Sequence, residues 1–482
     1  MNINTLSKIT GMMLMLFSIT MLPPTLVAIG YHEPLTHVFL ISFFSTLTVG
    51  AILWLPYRHA STALKTRDGF LVVTCIWLTL SLFSSLPFLL TLTSKYSLTN
   101  IIFESVSGLT TTGASVFTHL DKLPRAILYY RQQLHLLGGM GIIVLGIAIM
   151  PMLGVGGMQL YTAEMVGPMK GTRLKPRMTQ TAKTLWLIYL GLLVLCFSAY
   201  WLAGMPLLDA IGESFSTIAT GGFTMHDNSF MYYHSPLIDG IAMCFMLASA
   251  CNFGLHFVCI QQRRISAYWS DIECKQFFKM LFFTACIVCL SLYTLNVYDL
   301  SNSFWRGAFT VVSIATTTGF TNSPFAMWPI YLPILIMITG IIGGCGGSTS
   351  GGMKVMRCLL AKAQIKRELN RLIHPQAIFP IKLGTNLLPE SVTQSIWSFI
   401  SAFCILLIVF VLILMSDGMS FYSAFGAIIA CLANTGASIG QVASGFGQIP
   451  TLSKWVCIFA MITGRLEIFT VLVLFSPTYW QK

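Results

Sequence analysis

Four short stretches set threonine, asparagine and glycine beside strongly apolar sequence. They read "FESVSGLTTTGAS" (103–115), "GESFSTIATGGFT" (212–224), "FTVVSIATTTGFT" (309–321) and "AIIACLANTGASI" (427–439). Their cores are Thr110, Thr111, Thr112 and Gly113; Ala219, Thr220, Gly221 and Gly222; Thr316, Thr317, Thr318 and Gly319; and Ala433, Asn434, Thr435 and Gly436. The chemistry open to such residues is coordination. Backbone carbonyls and threonine hydroxyls directed at one line can replace the water shell of a desolvated cation. Glycine suits such a run because stacked carbonyls require φ > 0, which side chains disfavour. A short apolar helix ahead of each run would aim the negative end of its dipole at the same place. Asn100 and Asp209 read as N-caps of two of these helices.

A second group interrupts another apolar segment. "IIGGCGGSTSGGMK" holds Gly343, Gly344, Gly346, Gly347, Ser348, Thr349, Ser350, Gly351 and Gly352. Six glycines there cannot stay helical when each costs up to about 1 kcal/mol against alanine. No phosphate-binding G-x-x-x-x-G-K-[ST] pattern is present, and apolar sequence flanks both sides. Two readings stay open: close helix packing through small residues, or a loop lying across a pore. Arg465 sits within the last apolar segment, where an arginine costs at least about 2.5–3.5 kcal/mol. It either joins helices through carbonyls or acts on the pathway of a permeating cation. Glu467 is two residues on and faces elsewhere on a helix. Glu104 and Glu213 take equivalent places in the first two short helices, where the others have Thr310 and Ala427. Both buried hydrogen bonding and attraction of cations fit them. His256 in "CNFGLHF" reads as a satisfied interface residue, with no second ligand at metal-site spacing. Cys286 and Cys289 fall inside an apolar segment and read as small apolar residues, and "FMYYH" (230–234) reads as an outer interface belt.

The elements that must position these residues follow from composition. The chain has 482 residues, 55% apolar and 9% charged, against about 25% charged in soluble proteins. It reads as an all-α polytopic membrane protein and not an enzyme, with no H-E-x-x-H motif. Spans are predicted at 9–30, 36–56, 70–93, 128–152, 184–204, 236–260, 278–298, 328–342 continuing to 364, 393–416 and 453–475. Pro23 and Pro24 predict a kink in the first, which is read as retained. Each polar run recurs in one context: long span, short segment, run, long span. That is an internal repeat. The division is 1–60 for two extra N-terminal helices, then four units at 65–180, 181–272, 273–385 (with a broken second helix) and 386–482. Of 28 lysines and arginines, nineteen fall in loops on one side and six on the other. That bias places both termini in the cytoplasm and the runs toward the outside, provided the short segments are re-entrant.

With "GGMGIIVLGIAIMPMLGVGGMQLY" (138–161), "GGCGGSTSGGMKVMR" (343–357) and "GRLEIFTVLVLF" (464–475) added to the runs, the chain resembles the Trk/Ktr/HKT superfamily, and within it the bacterial potassium-uptake subunits. The resemblance implies four helix–pore-loop–helix units around one pseudo-fourfold pore, in a homodimer of the inner membrane. It implies that the sixteen run residues form a potassium filter. A serine at the first run glycine goes with sodium preference, and here Gly113 stands there. It also implies a gating loop at 343–352 and a cytosolic TrkA-like ring that binds NAD(H) and ATP, with no nucleotide cofactor in this chain. "KAQIKRELNRLIHPQ" (362–376) could dock such a partner. Potassium symport coupled to protons or sodium is the alternative to a gated pore. Gly221 and Asn434 depart from the threonines of the other runs, which predicts an asymmetric filter with looser discrimination than a fourfold channel.

Overall fold

The computed structural model describes residues 3–60, 66–139, 141, 178–377, 379–383, 386–387 and 390–481. Among these, helices dominate. The only ladder is a two-residue antiparallel pair, Lys382–Leu383 with Asn386–Leu387. Long apolar helices run over Ile3–Gly30, Thr36–Tyr57, Asp68–Leu92, Lys183–Leu202, Ile272–Thr294 and Thr393–Ser416. At 1.5 Å per residue each can cross a hydrocarbon layer about 30 Å thick. Phe282, Phe283 and Leu290 are exposed on one of them, as a lipid-facing surface requires.

The first two helices pack through glycines. A Cβ on Gly11 would sit 2.6 Å from the Gly50 carbonyl oxygen, and one on Gly50 would sit 2.8 Å from that of Gly11. Only small residues let membrane helices approach this closely. Pro23 lies in the first turn of the segment Leu22–Gly30, after a tight turn at Ile19–Met21. There its missing N–H leaves no bond unmade.

Four short helices precede the runs: Leu98–Leu109, Leu207–Ile218, Leu300–Ala315 and Phe421–Leu432. Each run leads to a second helix: Arg125–Gly139, Pro236–Ala250, Tyr331–Ile342 and Thr451–Arg465. The second helix of each unit packs on the short helix of the next, and the fourth packs on the first, so the units close into a ring.

Two spans predicted as continuous are broken. Pro236–Ala250 meets Phe253–Gln262 at 96°, and Thr451–Arg465 meets Phe469–Phe475 at 115°. At the first break Asn252 starts a new helix, its side chain accepting the Gly254 N–H at 2.7 Å. At the second, Glu467 and Ile468 adopt φ of 55° and 42°. The glycine-rich break of the third unit separates Tyr331–Ile342 from Val355–Ile373, as expected. The predicted span 128–152 is a helix from Arg125 to Gly139. Most of its remainder, with most of the 138–161 motif, lies outside the described residues.

Candidate functional site

Each short helix ends in the same way. The N–H groups of Thr112, Gly221, Thr318 and Thr435 donate to the carbonyls of Ser107, Ser216, Ser313 and Ala430, at 2.9, 2.8, 2.8 and 2.8 Å. The residue just before each, Thr111, Thr220, Thr317 or Asn434, has φ of 51°, 49°, 58° or 52°. This is the Schellman closure, which needs a left-handed residue after the helix cap. The run glycines, two positions further on, are left-handed as well: Gly113 78°, Gly222 89°, Gly319 83° and Gly436 70°. Alternating hand turns successive peptide groups to the same side. The glycines were legible in the sequence, but the left-handed threonines were not. Asparagine is the residue that best tolerates this conformation after glycine, which accounts for Asn434.

The runs touch one another in a closed cycle. A Cβ on Gly113 would lie 2.1 Å from the Gly221 carbonyl oxygen. One on Gly222 would lie 2.2 Å from that of Thr318, one on Gly319 2.0 Å from that of Thr435, and one on Gly436 2.2 Å from that of Thr112. Close approach, and not only φ, therefore excludes side chains at these four glycines. Side-chain support differs from run to run. Thr110 with Thr112, and Thr316 with Thr318, pair hydroxyls at 2.8 Å. Asn434 Nδ2 donates to Thr112 Oγ1 at 2.9 Å and to the Met461 carbonyl at 3.0 Å. Ala219, Thr316 and Ala433 cap their short helices as Thr110 does.

Glu104 and Glu213 are fully buried behind the runs. They accept the N–H groups of Val116 and Met225 at 2.8 and 2.9 Å, the same bond in two units. Glu104 also pairs with Arg131 at 2.6 Å, and Arg131 reaches Ser115 Oγ at 3.1 Å and the face of Phe223 at 4.2 Å. Arg131, which the charge count places on the outer side, is therefore an internal partner. The N-cap expectations are corrected. Ser97 caps the first short helix, accepting the Asn100 N–H at 3.3 Å, and Pro206 stands at the N-cap of the second. Asp209 instead contacts His226 Nε2 at 3.0 Å, while Asp121 contacts Nδ1 at 2.6 Å. In "FMYYH" Phe230 is buried, while Met231, Tyr232 and His234 are exposed, Tyr232 with its ring stacked on His226 at 3.5 Å. His256 is satisfied by Tyr268 Oη at 2.5 Å and the Ala248 carbonyl at 2.9 Å.

The segment 343–352 lies against three of the runs. Gly351 donates to Thr317 Oγ1 at 2.6 Å, and Gly352 to the Ala433 carbonyl at 3.0 Å. Thr349 Oγ1 donates to the Ile218 carbonyl at 3.1 Å and accepts from Thr220 Oγ1 at 3.3 Å. Gly343, Gly347 and Gly352 take φ of 72°, 71° and 74° to fold it back. Gly344 accepts the Val355 N–H at 3.1 Å, and Ser348 Oγ reaches the Cys345 carbonyl at 2.6 Å. Lys354, counted among cytoplasmic charges from sequence, turns back and donates to the Ser350 carbonyl. Glu273 fixes both ends of the segment, accepting Gly346 N–H at 2.7 Å and Met356 N–H at 3.0 Å. Sequence reasoning missed it, because its partners are distant in the chain.

Arg465 joins these parts. Its guanidinium donates to the Thr349 carbonyl at 3.2 Å, to that of Gly139 at 2.9 Å, and to that of Gly138. The last two are carbonyls at a helix C-terminus, which lack intrahelical partners and attract a cation. Glu467 pairs with Arg357 at 2.5 Å, consistent with its facing away from Arg465. The letters G-x-S-x-G occur at 436–440, yet the Ser438 hydroxyl has no hydrogen-bond partner among the described residues, so no base activates it.

Comparison with known proteins agrees in scale. The family description TrkH, "Cation transport protein", matches residues 35–482. The chain is 47% identical to the Trk system potassium uptake protein TrkH of Escherichia coli over the full length of both. It is 38% identical to TrkG of the same species, covering all of this chain and 99% of that one. The crystal structure of the potassium transporter TrkH from Vibrio parahaemolyticus superposes with a TM-score of 0.91 at 45% identity, with both chains fully covered.

Proposed function

The chain belongs to the TrkH family of cation transport proteins, and on that premise we propose that it takes up potassium across the bacterial inner membrane through one gated pore. Its relatives are named as transporters, not enzymes. The closed cycle of glycine–carbonyl contacts carries this reading. It puts four sets of peptide oxygens at the ends of four helix dipoles, an arrangement that favours a dehydrated cation. In this reading the sixteen run residues are the filter, and the segment 343–352 with Arg465 is the gate beneath it. The four units 65–180, 181–272, 273–385 and 386–482 surround the pore, with both termini in the cytoplasm. The working form is a homodimer, and nucleotide control comes from a TrkA-like cytosolic ring.

The test is Gly113→Ser in cells that lack other potassium uptake. The added Cβ would meet the Gly221 carbonyl at 2.1 Å, so the filter backbone must shift. Potassium-over-sodium preference is expected to fall by about tenfold, the equivalent of 1.4 kcal/mol. Preference at the parent value would overturn the filter assignment.

A further inference from the structure

The second run departs from its siblings at one position, and the space explains how. Thr112, Gly221, Thr318 and Thr435 supply the four carbonyls that face the run glycines. Three of them carry a β-branched side chain. At Gly221 that space is filled from another unit: a Cβ there would lie 2.2 Å from His135 Nδ1, 2.4 Å from Cγ and 2.7 Å from Cε1. His135 is on Arg125–Gly139, the helix that packs against the second short helix.

The ring is held on several sides. It is fully buried, stacks on Phe223 at 4.3 Å and 16°, and shares a hydrogen bond with Ser216 Oγ at 3.1 Å. The Ser216 carbonyl accepts the Gly221 N–H at 2.8 Å, so histidine, serine and glycine form one rigid group. In the fourth unit Gly464 meets the Leu432 carbonyl as Gly138 meets that of Leu109, so the place of His135 is taken there by the fully buried Met461. Here a rigid ring goes with glycine, and in the fourth unit a flexible methionine goes with Thr435.

We propose that His135 is a specificity-determining positioning residue, which sets the Gly221 carbonyl from behind in place of a threonine side chain. This rests on the filter reading above. A carbonyl held by a rigid aromatic ring keeps its distance from the pore axis. Without the ring, a glycine-flanked peptide is free to rotate toward a smaller ion. Selectivity should therefore respond to His135 although the ring touches no ion.

The experiment is a double-mutant cycle with Gly221→Thr, His135→Ala and the combined variant. Uptake of potassium, rubidium and sodium is measured in proteoliposomes and referred to inserted protein. Gly221→Thr overpacks a filled space and should lower potassium uptake by at least about tenfold. His135→Ala should keep transport but reduce potassium-over-sodium preference by about fivefold or more, given the span of coupled contacts. The combined variant regains both the space and a β-branched support. It should transport potassium within about threefold of the parent, because coupled substitutions are not additive. The inference is overturned if the combined variant inserts or transports no better than Gly221→Thr, or if His135→Ala keeps the parent preference. Gly113→Ser run alongside separates the two levels. If it shifts preference while the cycle shows no coupling, only the role of His135 falls. If none of the variants shifts preference, the filter assignment falls too.

Discussion

Arg131 and Glu104 are buried as a charged pair behind the first run, with the guanidinium satisfied by Ser115, the Thr224 carbonyl and the face of Phe223. Removing one partner leaves the other charge buried and uncompensated, which costs about 3–5 kcal/mol. Arg131→Ala is therefore expected to lower the unfolding transition in detergent markedly and to abolish uptake. Arg131→Lys, which keeps the charge but not the planar fork, should fall between parent and alanine. Thermal melts on purified protein check this, and melts at the parent value would show that the pair is not structural. A second charged contact lies outside the runs. Burial disfavours the charged form of His226, but the hydrogen bonds its ring donates to the Asp209 and Asp121 carboxylates outweigh it and hold its pKa above the ordinary value. A raised folded pKa means the contact's contribution is full below about pH 6.5, the unfolded value, and is lost as pH rises through the folded one. Stability should decline as pH rises above about 6.5 in the parent, and His226→Gln should flatten the profile. An identical profile in both would reject the contact as its source. Neither contact is readable locally. Arg131 is 27 positions from Glu104, and His226 is 105 from Asp121. By contrast, the φ of the run glycines follows from the residue type alone.

The recurrent context of the runs makes the short helices and the fourfold order legible in the sequence. Composition also exposes the break at 343–352, since glycines defeat a helix. The breaks at Cys251–Asn252 and after Arg465 are less legible, because neither has a run of glycines and the cause is a side-chain cap or two left-handed residues. Arg465, the last residue of its helix, reaches the carbonyls of Thr349, Gly138 and Gly139. The arginine ties three elements together, and its hydrogen bonds are charge-assisted, each worth about 1.5–3 kcal/mol. Arg465→Ala should release the 343–352 segment and raise partner-free rubidium flux in proteoliposomes by about tenfold or more, equal to one such bond. Ion preference should stay near the parent value, since no run residue changes. Unchanged partner-free flux, in protein that still inserts, would refute the gate. A change in preference instead would place Arg465 at the filter.

For the whole molecule, the segment 343–352 leads into a helix with an exposed face. Val355–Ile373 begins where the segment ends, and its first N–H is bonded to Gly344. Any partner that holds this helix therefore acts directly on the segment. The sequence points to its basic residues as the docking surface. The structure modifies that reading, because Arg367 and Arg371 both lie on Glu368, at 3.2 and 3.5 Å, and part of their charge is already balanced. Beside them Ile365, Leu369, Leu372 and Ile373 are exposed, spaced along one helical face. An apolar stripe edged with charge is the usual composition of an interface core and rim. Changing Lys366, Arg367 and Arg371 to glutamate should slow association with a TrkA-like ring and weaken or reverse its salt dependence, since rim charges act mainly on encounter and are screened by salt. Leu369→Ser with Leu372→Ser should speed dissociation, lowering affinity by at least about tenfold if the stripe is the buried centre. Both sets should leave partner-free flux at the parent level, because neither touches the runs, Arg465 or Glu273. Binding kinetics on purified components distinguish the two effects. Parent-like association and dissociation in both variants would reject this helix as a docking surface.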